Sequence, residues 1–227
     1  MPIAATVTRV LSVLRCATEG SGTSIVLALF AALAAWAVRG LGSVWLALLC
    51  LVGAIALAVG AASGLDLHPG TDAPVAVFAL TGGCLLGRLV PARARPMLAL
   101  LVLLAALDAV QLVAPGPASG PASPTAHPAW YWYGMFALDG PWGHTVLGVF
   151  DLLLVAALAT HAERRGLPLL VAAAPGVLAF VLADVMVFAA GAGNLPLVPF
   201  LLGGWLLSEA ALRLGPGERL LARSRRR

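Results

Sequence analysis

An all-α fold, a polytopic membrane helix bundle of about seven transmembrane helices, is predicted by three features of the sequence. The chain is 61% hydrophobic and 11% charged, with a mean hydropathy of +0.98; soluble domains are about 45–50% apolar and about 25% charged. Its apolar residues fall into seven runs, each near the roughly 20 residues that cross a bilayer. Gly, Pro and Arg separate the runs, and arginine is rich in every second connector. Residues 1–227 therefore read as a single integral membrane domain without room for a large soluble one.

Taken in order, residues 1–21 form an N-terminal segment whose stretch IAATVTRVLSVLRCA (3–17) has helical periodicity and is expected to lie along the interface. Arg9 and Arg15 precede SIVLALFAALAAWAV (24–38) in the order of a secretory signal. ALAAWA is a poor cleavage site and further spans follow at once, so a retained first helix is predicted. Spans are expected at 22–38, 43–60, 74–90, 97–114, 144–160, 168–190 and 195–213, the first three lying within 22–96. On the third, GCLLG (83–87) has the G-x-x-x-G spacing of a helix-packing face. The outer loop 115–143 is Pro/Ser/Gly-rich in its first half. Its second half carries Trp130, Tyr131, Trp132, Tyr133 and Trp142, the composition of an interfacial aromatic belt or of a lid. A basic tail, 214–227, closes the chain.

Charge sets the orientation. Arg39, then Arg88, Arg93 and Arg95, then Arg164 and Arg165, and finally the tail share one side, whereas loops 61–73, 115–143 and 191–194 contain no basic residue. The positive-inside rule makes the arginine side cytoplasmic, with the C-terminus inside and the N-terminus outside. Arg9 and Arg15 alone disagree. All 14 basic residues are arginine, six of them in the last fifteen positions. Placed just after a span, they point to anionic lipids rather than nucleic acid. The absence of lysine excludes a retinal Schiff base. Cys16, Cys50 and Cys84 lack C-x-x-C spacing and read as apolar fillers. No two of His68, His127, His144 and His161 stand three or four apart, so neither a metal nor another cofactor is expected.

Three carboxylates fall within the expected spans. Asp108 lies six residues before the outer end of the fourth, Asp151 seven after the outer start of the fifth, and Asp184 six before the outer end of the sixth. At about 1.5 Å per residue, each would sit about 9–10 Å below the outer surface. An ionisable group at such depth costs about 2.5–3.5 kcal/mol on the insertion scale and marks a function. Two facing carboxylates share a proton, so that one activates water while the other donates to a carbonyl oxygen. The same arrangement also serves a proton relay or a cation site. The remaining acids, among them Glu163, are expected to be solvated, and Glu209 is expected to snorkel or to pair with Arg213.

Three stretches, in order, resemble the motifs of the presenilin and signal peptide peptidase family of intramembrane aspartyl proteases. LDAVQLVAPGP (107–117) is similar to its first aspartate motif, with Leu107 where tyrosine is usual. LGVFD (147–151) is similar to its Gly-x-Gly-Asp motif, with Gly148 and Asp151 in register and Phe150 in place of the second glycine. LPLVPF (195–200) is similar to its Pro-Ala-Leu motif through Pro196, Leu197 and Val198. The aspartates are 43 residues apart, and Pro196 follows Asp151 by 45. The resemblance implies a catalytic core over 97–213, with Asp108 and Asp151 as the dyad and Gly148, Pro196, Leu197 and Val198 contacting substrate. It implies a transmembrane or signal-peptide helix as substrate. Asp184 is an additional acid that the pattern does not require. The rival expectation is a proton- or cation-coupled transporter or channel built on the three aspartates; a third is a non-catalytic scaffold derived from such a protease.

Overall fold

The computed structural model describes residues 23–63, 72–113, 135–140, 143–190 and 197–214. Among them are seven helices: α1 (Thr23–Gly40), α2 (Ser43–Ser63), α3 (Asp72–Leu89), α4 (Ala94–Val113), α5 (Val149–Arg164), α6 (Leu169–Ala190) and α7 (Val198–Leu214). Each coincides with one of the expected apolar runs. Two of them, α1 and α2, are long and apolar enough to cross a membrane by length and composition, with mean hydropathy 1.7 and 2.5.

The helix ends follow local chemistry. Pro74 and Pro96 stand in the first turns of α3 and α4, where a missing N–H costs no intrahelical bond. After α5, Gly166 adopts φ 70°. Its N–H donates to the Glu163 carbonyl and that of Leu167 to the Ala162 carbonyl, at 2.8 and 3.0 Å. This is a Schellman stop, a backbone shape that glycine adopts without steric penalty. Pro168 then opens α6, so that α5 and α6 form an antiparallel hairpin.

One departure from the all-α expectation precedes α5. Strand β1 (Met135–Gly140) pairs antiparallel with β2 (Gly143–Gly148), in a register running from Met135 opposite Gly148 to Gly140 opposite Gly143. The expected fifth span at 144–160 thus begins as a strand, and its helix starts only at Val149. Pairing with 135–140 satisfies the backbone of 143–148 across the strands, an option that an apolar run alone does not reveal. Trp130 to Tyr133, Trp142 and the segment 1–21 lie outside the described residues.

α5 is the centre of the bundle. Leu152 and every residue from Leu154 to Ala162 are buried. It packs against α3 on one side and α6 on another; α2 extends the row beyond α3, and α7 and then α4 extend it beyond α6. α1 joins through the Cys84 thiol, whose sulfur lies 3.6 Å from the Ala34 carbonyl oxygen. Glycines make the close contacts. A Cβ on Gly83 would stand 2.3 Å from the Leu153 carbonyl oxygen, and one on Gly87 2.6 Å from that of Ala157. A Cβ on Gly53 would stand 2.9 Å from the Phe78 backbone N, and one on Gly204 2.5 Å from the Pro175 carbonyl oxygen. The G-x-x-x-G face is therefore the α3–α5 interface, with backbones in the close approach typical of helices packed in apolar surroundings. Gly83→Ala and Gly83→Leu should lower the midpoint of thermal unfolding in detergent by an amount equivalent to about 1–3 kcal/mol or more. Gly42→Ala, where nothing lies within 4 Å, should leave it unchanged.

Candidate functional site

Asp108 sits on α4, five residues before its end, with a half-buried side chain. Its Oδ2 accepts the backbone N–H of Val198 at 3.3 Å. Val198 is the first residue of α7, so its N–H is one of those a helix cannot satisfy internally. The carboxylate of one helix thus caps another, at the end where the helix dipole favours negative charge.

Asp151 is placed differently from expectation. Because β2 occupies 143–148, Asp151 lies in the first turn of α5 rather than two turns inside it. Its Oδ2 accepts the Gly148 N–H at 3.1 Å, the reach-back of an acidic residue in a helix's first turn. Gly148 has φ −67° and ψ 147°, a backbone open to any residue. Space is the reason for glycine there, since a Cβ would meet Asp151 Oδ2 at 3.0 Å. Gly148 accordingly accommodates and holds the Asp151 carboxylate.

Both aspartates lie at the same end of the bundle, each on the N–H groups that open a helix. Each has Oδ2 anchored on a backbone N–H, which leaves Oδ1 of each without an assigned partner among the described residues. Leu197 and Val198 are buried beside Asp108, and the Leu197 carbonyl accepts the Leu201 N–H at 2.9 Å. Pro196 lies outside the described residues. Asp184 is on α6, and its side chain is not described. Gly204 of α7 packs on Pro175 and Ala179 of α6; counting outward along these antiparallel helices puts the Asp184 backbone about level with the first turn of α7. Leu107 and Phe150, the residues preceding the two aspartates, are 55% and 70% exposed.

The opposite end of the bundle holds what the sequence reading missed. Arg88 donates to Ser43 Oγ and to the carbonyls of Val38 and Leu41, at 2.6–2.9 Å. Arg164 donates to the carbonyls of Gly87, Arg88 and Val90, at 2.6–3.0 Å. These carbonyls end α1 and α3, where cations are favourable. Arg39 pairs with Glu163 at 2.6 Å, so Glu163 is not the solvated acid expected. Glu209 pairs with Arg165 through both oxygens, not with Arg213; both side chains are only 10% exposed. Helical spacing predicted the Arg213 pairing, but the turn at 165–168 brings a second arginine to the more enclosed side. His161 is 1% exposed, with neither ring nitrogen hydrogen-bonded among the described residues. Clustering of arginine in alternate connectors was the available signal for this end; nothing in the sequence marked His161 as buried.

Among the described residues no group of three His, Cys, Asp or Glu side chains is placed to hold a metal ion. No known protein family, characterised protein or solved structure matches the chain. The Arg165–Glu209 pair offers a direct check of the arginine end. Glu209→Ala should destabilise the protein by about 3–5 kcal/mol, because it strands a buried guanidinium. Arg165→Met combined with Glu209→Leu should recover most of that loss and Arg213→Ala should cost little, all read by chemical denaturation in mixed micelles.

Proposed function

We propose that the protein is a seven-span integral membrane protein with its arginine end in the cytoplasm, and that it is an intramembrane aspartyl protease acting on transmembrane or signal-peptide helices. The observation that carries this reading is the placement of Asp108 and Asp151 at the same end of the bundle, each anchored through one oxygen on the N–H at a helix start. When a substrate segment brings them together across the scissile bond, two such carboxylates share one proton. The ionised member takes a proton from water as the water oxygen bonds to the scissile carbonyl carbon; the protonated member gives its proton to the carbonyl oxygen. Collapse of the resulting diol breaks the C–N bond, with the proton passing to the departing nitrogen. No metal and no covalent intermediate are needed.

Three further features support the reading. Val198, from the stretch similar to the Pro-Ala-Leu motif, is the residue that touches Asp108. β2 runs directly into the helix of Asp151, and a two-stranded sheet leaves strand edges on which an unwound substrate segment can add. The arginine side chains gather at the end of α5 opposite Asp151, as expected if that end faces the cytoplasm, with anionic lipids at the tail. In this orientation the preferred substrates run with their N-termini inside, as leftover signal peptides do.

A second reading, a proton- or cation-coupled transporter, is favoured by one observation. His161 and the buried Arg165–Glu209 pair lie at the other end of α5 from Asp151, about 15 Å away along the helix, and the protease chemistry makes no use of them. One experiment separates the two. Asp108→Asn and Asp151→Asn each retain a side-chain oxygen that can accept the capping N–H, so both variants should fold. Cleavage of a fluorescent signal-peptide helix within its apolar segment should fall by about 10²–10⁴ in either variant and be blocked by a transition-state-like aspartyl protease inhibitor. Absence of cleavage, together with proton flux into liposomes that is lost in the folded Asp108→Asn and Asp151→Asn variants, would establish the transporter instead.

A further inference from the structure

α5 is enclosed along almost its whole length. From Val149 to Arg164 only Phe150 and Arg164 are exposed, and Arg164 is held on the carbonyls that end α3. Phe150 is the one large apolar side chain that this helix leaves uncovered, at 70% exposure. Successive residues of a helix turn by about 100°, and residues three to four apart share a face. Phe150 therefore heads the stripe continued by Leu154 and His161, both of which are buried. Whatever covers that stripe stops short of its first turn, the turn that carries Asp151. α4, the helix of Asp108, packs extensively against α7 and not against α5, so no broad helix contact closes α5 off from the α4 side. Leu107, beside Asp108, is exposed as well.

We propose that Phe150 is a specificity-determining residue, which selects by side-chain size the apolar segments that reach Asp151. The proposal rests on the protease reading above. A phenyl ring at the uncovered first turn occupies volume that a glycine would leave to the incoming chain. Segments carrying Gly, Ala or Ser next to the cleaved bond pass the ring and bring their carbonyl to the carboxylates. Segments carrying Leu or Phe there are held off. Phe150 touches substrate without taking part in proton transfer, so its effect falls on the choice between substrates rather than on the chemistry.

The test compares two fluorescent apolar peptides that differ only in having Ala-Gly or Leu-Phe at the cut site. Wild type, Phe150→Ala, Phe150→Trp and Asp108→Asn are assayed side by side in lipid, with folding followed by thermal unfolding. Wild type should favour the small-residue peptide in kcat/KM by about tenfold or more, the scale on which a pocket discriminates apolar groups. Phe150→Ala should bring the ratio close to one by speeding the bulky peptide, and Phe150→Trp should widen it. A photoreactive residue at position 150 in the Asp108→Asn background should capture the small-residue peptide, whereas one at Leu51 on α2 should not. Asp108-dependent cleavage with an unchanged ratio in Phe150→Ala overturns the role of Phe150 and leaves the protease standing. Absence of Asp108-dependent cleavage of both peptides in wild type overturns the protease reading and the role of Phe150 with it.

Discussion

A helix leaves its first N–H groups and last C=O groups without partners, and in apolar surroundings no water is at hand to take them. Much of this structure answers that constraint. At one end of the bundle Asp108 takes the N–H that opens α7, and Asp151 takes the Gly148 N–H at the start of α5. At the other end Arg88 and Arg164 donate to the carbonyls that close α1 and α3. Acids meet helix starts and arginines meet helix ends, the arrangement favoured by the helix dipole. The odd-numbered helices run in parallel from the aspartate end to the arginine end, so the two sets of charges are kept apart by the length of the bundle.

That polarity depends on α5 lying at the centre, and the α3–α5 contact puts it there. Gly83 and Gly87 bring α3 onto the backbone of α5 closely enough for Arg164 to reach the end of α3. The Schellman stop at Gly166 then folds α6 back along α5 and sets Arg165 against Glu209 of α7. Once α6 and α7 are in place, the start of α7 stands beside α4, where Asp108 can cap it. The two carboxylates therefore come to the same end of the bundle through a chain of packing contacts that begins with Gly83 and Gly87 on α3.

On the proposed protease reading, capping and catalysis are compatible uses of the same side chains. A carboxylate has two oxygens; the cap occupies one and fixes the direction of the other. Held in this way, neither aspartate would have to lose rotamer freedom on binding the proposed substrate, so on that reading the cap also supplies pre-organisation. It also explains how a chain tolerates acids within apolar segments, since a backbone N–H partner offsets part of the desolvation of each.

Much was legible in the sequence because it follows from short-range rules. Seven apolar runs correspond to seven helices, GCLLG to a close helix contact, and alternating arginines to one charged end. Asp108 and Asp151 were legible as carboxylates out of place; that the Val198 N–H donates to Asp108 was not, since Val198 was expected only to contact substrate. The hairpin at 135–148 was not legible, because a strand's partner lies elsewhere in the chain and a run of apolar residues fits either structure. Consequently Asp151 stands in the first turn of α5 rather than two turns inside it, and the bond from the Gly148 N–H to its carboxylate was not foreseen. The partners of Glu163 and Glu209 were misjudged for a related reason: helical spacing ranks Arg213 first for Glu209, but only tertiary packing brings Arg165 nearer. Sequence alone thus determined which segments are helical and which residues are costly to bury, because both depend on composition over a few turns. Which of those residues meet, which oxygen of each is engaged, and that Phe150 stands uncovered beside Asp151 were decided by the tertiary structure, because these depend on how distant helices pack.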